Sequence, residues 1–303
     1  MNLIIVIILI IELFLLISYI TYRKIFYSPD KEQNDIYNIP KEEQYNEKKD
    51  YMITLIKELD EREYEDVFIR SYDGLVLHGK YYFVKKDAPL DIGFHGYRAT
   101  SIRDFCGGAA ISKELEHNLL LVDQRAHGLS EGHTITFGIK EKYDVLSWIL
   151  YGENNLKAKK INLYGVSMGA SSILMASTVK LPKSVNAIIA DSPFSSVKGI
   201  IKKVVKDRKL NYKLLAPFIF TGAYLFGKIN LNEGEIIPNI KNVKKDILII
   251  HGEDDRFVPH TMSEEIAKCN KKIKRVTFKD AGHGLSFIKD EKKYKKVVKE
   301  LLK

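Results

Sequence analysis

The sequence predicts an α/β fold: a mostly parallel sheet flanked by helices, with a small helical insertion and an apolar helix at the N-terminus. Three observations predict it. From Leu90 onward, short apolar runs alternate with stretches of helical spacing, the rhythm of strands joined by crossover helices. Inside that rhythm, Ile161 to Tyr164 reads as a buried strand. It ends in Gly165-Val166-Ser167-Met168-Gly169 and passes through Ala170, Ser171 and Ser172 into a helix. Finally, 303 residues with 45% hydrophobic content suffice for one large core and an appendage.

In chain order, the appendage comes first. Fifteen of the eighteen residues from Leu3 to Ile20 are Ile, Leu, Val or Phe. As a helix they span roughly 27 Å at 1.5 Å per residue, near the hydrocarbon thickness of a bilayer. At about −0.4 kcal/mol each they outweigh the roughly +3 kcal/mol of Glu12, so insertion is expected. No basic segment precedes Leu3 and no A-x-A-like site follows, which favours an anchor over residues 1–24 rather than a cleaved leader. Arg23 and Lys24 lie after the run. The positive-inside rule then gives a single-pass protein of the cell membrane with its main domain in the cytoplasm.

Residues 25–63 read as a polar linker, broken by Pro29 and Pro40, and then an amphipathic helix over Asp50 to Glu61. The main domain is expected over residues 64–303. It opens with a hairpin, Asp66 to Ser71 and Leu75 to Phe83, turning at Asp73-Gly74. Strands follow at Leu90 to Phe94, Asn118 to Val122, Ile161 to Tyr164 and Val185 to Ala190, with helices between them. The rhythm breaks at 194–242. A lysine-rich helical pattern (Val197 to Lys209) and an apolar one (Leu214 to Ile229) there suggest a helical cap over the carboxyl edge of the sheet. The sheet resumes at Ile247 to Ile250 and Lys274 to Phe278, and a closing helix is expected over Leu285 to Leu302.

The formal net charge is +9, carried by lysines spread along the chain. A solvated surface accounts for it, with attraction to an anionic membrane as the functional alternative. Basic residues do not interleave with aromatics as a stacking platform requires, so no nucleic-acid partner is expected. Cys106 and Cys269 stand far apart in no metal-ligand spacing, and no metal site is expected.

The strand, G-x-S-x-G, helix context is what a nucleophilic serine needs, because a strained turn there lifts the Ser167 hydroxyl clear of the backbone. A serine also needs a base within reach and an acid to orient that base. In this arrangement the chain order is serine, acid, histidine. His283 follows the last strand in a Gly-flanked loop and is the candidate base. Asp254 and Asp255 stand together at one strand end and Asp191 at another, so the acid stays open at this point. The oxyanion formed on attack needs preformed donors. The backbone N–H of Met168, just after the serine, and that of Tyr97, after the Leu90 to Phe94 strand, are the candidates. In the cap, Phe218 and Tyr224 belong to a run too apolar for one narrow helix stripe, and an acyl-binding wall above Ser167 is expected of them.

These motifs together resemble the α/β-hydrolase superfamily over about residues 64–302. F-H-G-Y at 94–97 resembles its oxyanion loop. D-Q-R-A-H-G-L-S-E-G at 123–132 resembles its D-x-R-G-H-G-x-S-x-G segment, with Ala126 where a glycine is usual. G-V-S-M-G resembles its elbow and G-H-G at 282–284 its histidine loop. I-H-G-E-D-D-R-F-V-P at 250–259 resembles its acid loop, and that register selects Asp255. D-S-P-F-S-S at 191–196 and the short cap resemble membrane-associated serine esterases and prolyl-oligopeptidase-like peptidases of bacteria. The resemblance implies hydrolysis through an acyl-enzyme on Ser167, without metal or cofactor, and no particular substrate, since this fold hosts many. The leading reading takes a small-molecule or lipid-like acyl ester. Amides, peptides and thioesters pass through the same intermediate and remain alternatives. An idle membrane-anchored binding protein is the reading from another class. It is disfavoured because no triad position is lost.

Overall fold

The computed structural model describes residues 3–29, 35–41 and 43–303. Helix α1 (Leu3–Ile25) comes first, then two shorter helices, α2 (Glu43–Asn46) and α3 (Lys49–Asp60). Strands β1 (Glu65–Arg70) and β2 (Val76–Tyr82) pair antiparallel across a turn in which Gly74 takes φ +91. The alternation follows as β3 (Leu90–Phe94), α4 (Ser101–Glu114), β4 (Asn118–Val122), α5 (Glu141–Asn154), β5 (Ile161–Val166), α6 (Met168–Ser177) and β6 (Val185–Asp191). The insertion holds α7 (Val197–Asp207), α8 (Tyr212–Leu225), a 3-10 turn and α9 (Ile237–Ile240). The chain ends with β7 (Asp246–Gly252), α10 (His260–Lys268), β8 (Ile273–Phe278), α11 (Ser286–Lys289) and α12 (Glu291–Leu302).

The eight strands form one sheet in the order β1-β2-β4-β3-β5-β6-β7-β8. All neighbours from β4 to β8 are parallel, and only the β1–β2–β4 end is antiparallel. β3 and β4 are buried along their whole length, as strands covered on both faces must be, which is why they read as unbroken apolar runs. One face packs against α5, α6 and the cap through Trp148, Ile173 and Ile200. The other packs against α3, α4 and α12 through Ile56, Phe105 and Val298. The parallel strands point their carboxyl ends to one edge, and the loops bearing His95, Asp123, Ser167, Asp191, Asp255 and His283 all leave from there.

Three expectations change. The stretch 25–63 does not begin as a linker. Phe26 is fully buried, its carbonyl accepts from the Ile135 amide at 2.8 Å, and Tyr27 bridges to Thr134. The closing helix breaks in two at Asp290, whose extended backbone ends α11 and whose side chain accepts from the Lys293 amide to cap α12. The cap's apolar helix α8 is applied to α1. Phe218 stacks on Phe14 with ring centroids 4.8 Å apart, and the Thr21 hydroxyl donates to the Phe218 carbonyl at 3.1 Å. Gly222 sits where any Cβ would collide with the Ser18 carbonyl, so its lack of a side chain is what lets the two helices close.

Candidate active site

Ser167 follows the last residue of β5 and caps α6 with φ 55 and ψ −114. This left-handed backbone is costly for a residue with a Cβ. It is held because the Ser167 amide donates to the Asp191 carbonyl at 2.8 Å and its own carbonyl takes the Ser171 amide at 3.0 Å. A Cβ at Gly169 would collide with the Phe94 carbonyl oxygen, so the turn tolerates no side chain there. Met168 opens α6, so its amide belongs to the first turn, which has no carbonyl partner inside the helix.

His283 and Ser167 line one cavity. The His283 Nδ1 lies 2.7 Å from Asp255 Oδ2. With Asp255 ionised, Nδ1 carries the proton and Nε2 keeps its lone pair. Asp255 is buried and fully engaged: its Oδ1 accepts the amides of Phe257 (2.9 Å) and Val258 (2.8 Å), and its Oδ2 also meets His251 Nε2 at 3.1 Å. Burial alone would raise its pKa, but the charge of His283 and the hydrogen bonds from His251 and His283 carry it well below the carboxylate range. For His283, burial opposes the charged ring, and the charge and hydrogen bond of Asp255 outweigh it, so its pKa is raised. Asp254 is exposed on the same turn, and the structure brings Asp255, not Asp254, to His283. Asp191 is buried beneath the site and accepts from the Ser192 hydroxyl at 2.9 Å, while burial pushes its pKa up to about 6.

The Gly96 amide is taken by Asp104 Oδ2 at 2.8 Å. The next residue, Tyr97, lines the cavity, but its side chain turns to the end of α1: its hydroxyl donates to the Ile25 carbonyl at 2.8 Å and its ring stacks on Phe137. Beside it, Arg98 donates to the carbonyls of Tyr27 (2.9 Å) and Lys24 (3.3 Å). His95 is a loop-ordering residue, as its setting in the sequence implies: its Nδ1 meets the Gly96 carbonyl and its Nε2 accepts the Gln124 amide.

Phe218 and Tyr224 do not join the cavity. Phe218 is taken up by Phe14, and Tyr224 is exposed beside Lys228 on the outer face of the cap. The 123–132 motif is structural. Asp123 is buried and holds His78 Nδ1 at 2.7 Å, while Arg125 is buried between Asp144 and Asp73. Ala126 takes φ 64, which explains why a glycine suits that place better. Sequence reasoning missed His251 and Tyr45. His251 opens the acid-loop motif, which was the available signal. Tyr45 donates to the His283 carbonyl at 2.9 Å from a stretch with no motif.

No family model matches the chain. The fold is nevertheless that of the α/β-hydrolases. The chain is 26% identical to an esterase from Pyrococcus furiosus, with a TM-score of 0.64 over 81% of this chain and 92% of that one. Est1E from Butyrivibrio proteoclasticus, solved with ferulic acid bound, shares the fold at 20% identity and TM-score 0.60, covering 78% and 97% of the two chains. Among curated proteins, YqkD of Bacillus subtilis is 27% identical over 62% of this chain and 63% of its own length, short of two thirds of that relative. The α/β-hydrolase domain-containing protein WAV2 of Arabidopsis thaliana is 23% identical over 73% and 72%. These likenesses support an enzyme of the hydrolase class.

Proposed function

We propose that the protein is a membrane-tethered serine hydrolase that cleaves carboxylic esters through an acyl-enzyme. Ser167 attacks the carbonyl, His283 takes its proton at Nε2 and returns it to the leaving alkoxide, and Asp255 holds His283 in the required tautomer. The amides of Met168 and Tyr97 receive the developing oxyanion. Water then repeats the sequence on the acyl-enzyme and frees Ser167. The observation that carries this reading is the 2.7 Å contact of His283 with Asp255, at the rim of a cavity that also holds a strained Ser167. The likeness to the Pyrococcus furiosus esterase supports the ester as substrate class.

The tether is α1, which among the described residues is the one helix long and apolar enough to cross a membrane. Arg23 and Lys24 at its end favour a cytoplasmic domain. Labelling the purified full chain with a fluorophosphonate tests the reading directly. Ser167→Ala should abolish labelling, and retained labelling would sink the proposal. A panel of p-nitrophenyl esters, aminoacyl anilides and acyl-thioesters separates ester from amide and thioester cleavage. Protease added to intact cells should not reach the domain.

A further inference from the structure

The cavity that holds Ser167 and His283 does not run beneath the cap. It passes to the opposite face of the sheet, between α3, α4 and α11, and measures about 220 Å³. Its walls there are Met52, Phe105, Cys106, Phe287 and Ile288, five apolar side chains from three elements. The N-terminal arm closes it: Tyr45 lines it while its hydroxyl holds the His283 carbonyl, and Arg103 of α4 ties the arm down through the Asn38 carbonyl at 3.1 Å. Gly107 on α4 lies against the Phe287 ring, so the absence of a side chain there seats Phe287 in the wall.

Two polar atoms on its wall, Gln44 Oε1 and the Tyr164 hydroxyl, are buried without a hydrogen-bond partner, while the charged groups beside them are engaged. Asp104 holds the Gly96 amide and meets Arg103 at 3.3 Å, and Asp191 takes the Ser192 hydroxyl. Burial pushes the Cys106 thiol up to about 12, so it stays neutral and behaves as a small apolar side chain. A channel that begins at the nucleophile and whose far wall carries these five apolar side chains suits a hydrocarbon chain.

We infer that this channel is the acyl-binding site. Its occupant is a medium-chain acyl group, and chain-length selectivity is set by the arm and α4 rather than by the cap. The inference rests on the hydrolase reading above. Each methylene buried should raise kcat/KM about fourfold until the channel is full.

The test is the full chain in detergent micelles, assayed on p-nitrophenyl acetate, butyrate, hexanoate, octanoate and laurate. The expected profile climbs to about hexanoate and falls by laurate. Met52→Trp fills the channel. It should lower the hexanoate-to-acetate ratio of kcat/KM at least tenfold. Cys106→Ala enlarges the channel and should move the optimum to longer chains, which covers the case in which the tryptophan misfolds. Tyr224→Ser on the cap should leave the profile as it was. A profile that falls steadily from acetate overturns the inference. So does a profile unmoved by both channel variants while Ser167→Ala is dead, which places the acyl group elsewhere and spares the hydrolase reading. Turnover surviving in Ser167→Ala overturns that reading and the inference with it.

Discussion

At the scale of single residues, the site is organised by unusual backbone at Ser167 and by four contacts on Asp255. Ser167→Ala should leave the fold intact and reduce ester turnover to background, because the hydroxyl itself makes no packing contact that the turn requires. Asp255→Asn should lose about 10⁴-fold in kcat, since an amide cannot hold the same tautomer of His283. Asp254→Asn, on an exposed side chain, should be nearly normal. The opposite pattern would move the acid by one residue. His251 supplies a donor to Asp255 at 3.1 Å. Losing a hydrogen bond to a charge costs about 1.5 kcal/mol, so His251→Leu should cost about tenfold in kcat and His251→Gln less. The pH dependence follows from His283. It must be unprotonated to accept the proton of Ser167, and Asp255 raises its pKa above the ordinary 6.5. Activity is therefore full at high pH and lost as pH falls through a value above 6.5. A kcat/KM profile whose acid limb lies below 6.5 would contradict this, and Asp255→Asn should shift the limb down.

At the scale of elements, α1 is more than a tether. Its second half is shared between α8 and the core: Phe14 and Ser18 meet Phe218 and Gly222, and Tyr22 is buried. Its last carbonyls are held by Tyr97 and Arg98, in the loop proposed to offer the oxyanion amide. Helix ends leave such carbonyls unpaired, and these side chains satisfy them. The sequence reading made residues 1–24 a separable anchor, and hydropathy could not have said otherwise, since the same apolar residues suit lipid and a partner helix alike. Deleting residues through Leu13 should preserve the fold, because no contact named above lies before Phe14. Deleting residues through Lys24 should cost about 3 kcal/mol or more, as the loss of one large buried aromatic does, and should lower thermal stability and recovery in soluble form. A fully stable and active product would restore the anchor to a detachable role. Arg98→Ala should lower kcat with little change in KM, measured on p-nitrophenyl butyrate, because it loosens the loop without touching the substrate.

At the scale of the whole molecule, the parts legible in the sequence were those with a local rule. Strand and helix alternation gave the parallel sheet, and chain order with loop motifs gave Ser167 and His283 on one rim. Asp255 came only from register against a resemblance, because Asp254 and Asp255 are chemically alike and differ only in which one the turn buries. What was not legible was long-range packing without a pattern. Tyr45 on the His283 loop, α8 on α1 and the channel under the arm all join segments far apart in sequence.

Charge distribution is also a property of the whole. Lys159, Lys160, Lys183, Lys244 and Lys245 gather at the amino ends of β5, β6 and β7. The end of α1 joins the domain at Tyr97, beyond the carboxyl end of β3, so this basic cluster lies at the edge of the sheet away from the tether. The exposed Lys202 and Lys206 of α7, with Arg208 and Lys209 just beyond, follow the carboxyl end of β6 and lie at the tether's edge. If α1 enters a bilayer, the α7 lysines approach its headgroups and the larger cluster does not. A lysine near an anionic surface contributes about 1 kcal/mol. In the form lacking residues 1–13, Lys202→Gln with Lys206→Gln should therefore weaken binding to phosphatidylcholine vesicles containing phosphatidylglycerol by roughly thirtyfold at low salt. The loss should shrink as salt rises, because screening removes the same term from the parent. Lys183→Gln with Lys244→Gln should change vesicle binding little at any salt. Sedimentation of protein with the vesicles measures both pairs. A large loss from Lys183 and Lys244 with none from Lys202 and Lys206 would mean that the domain meets the membrane by its other edge, with the catalytic rim turned away from the lipid.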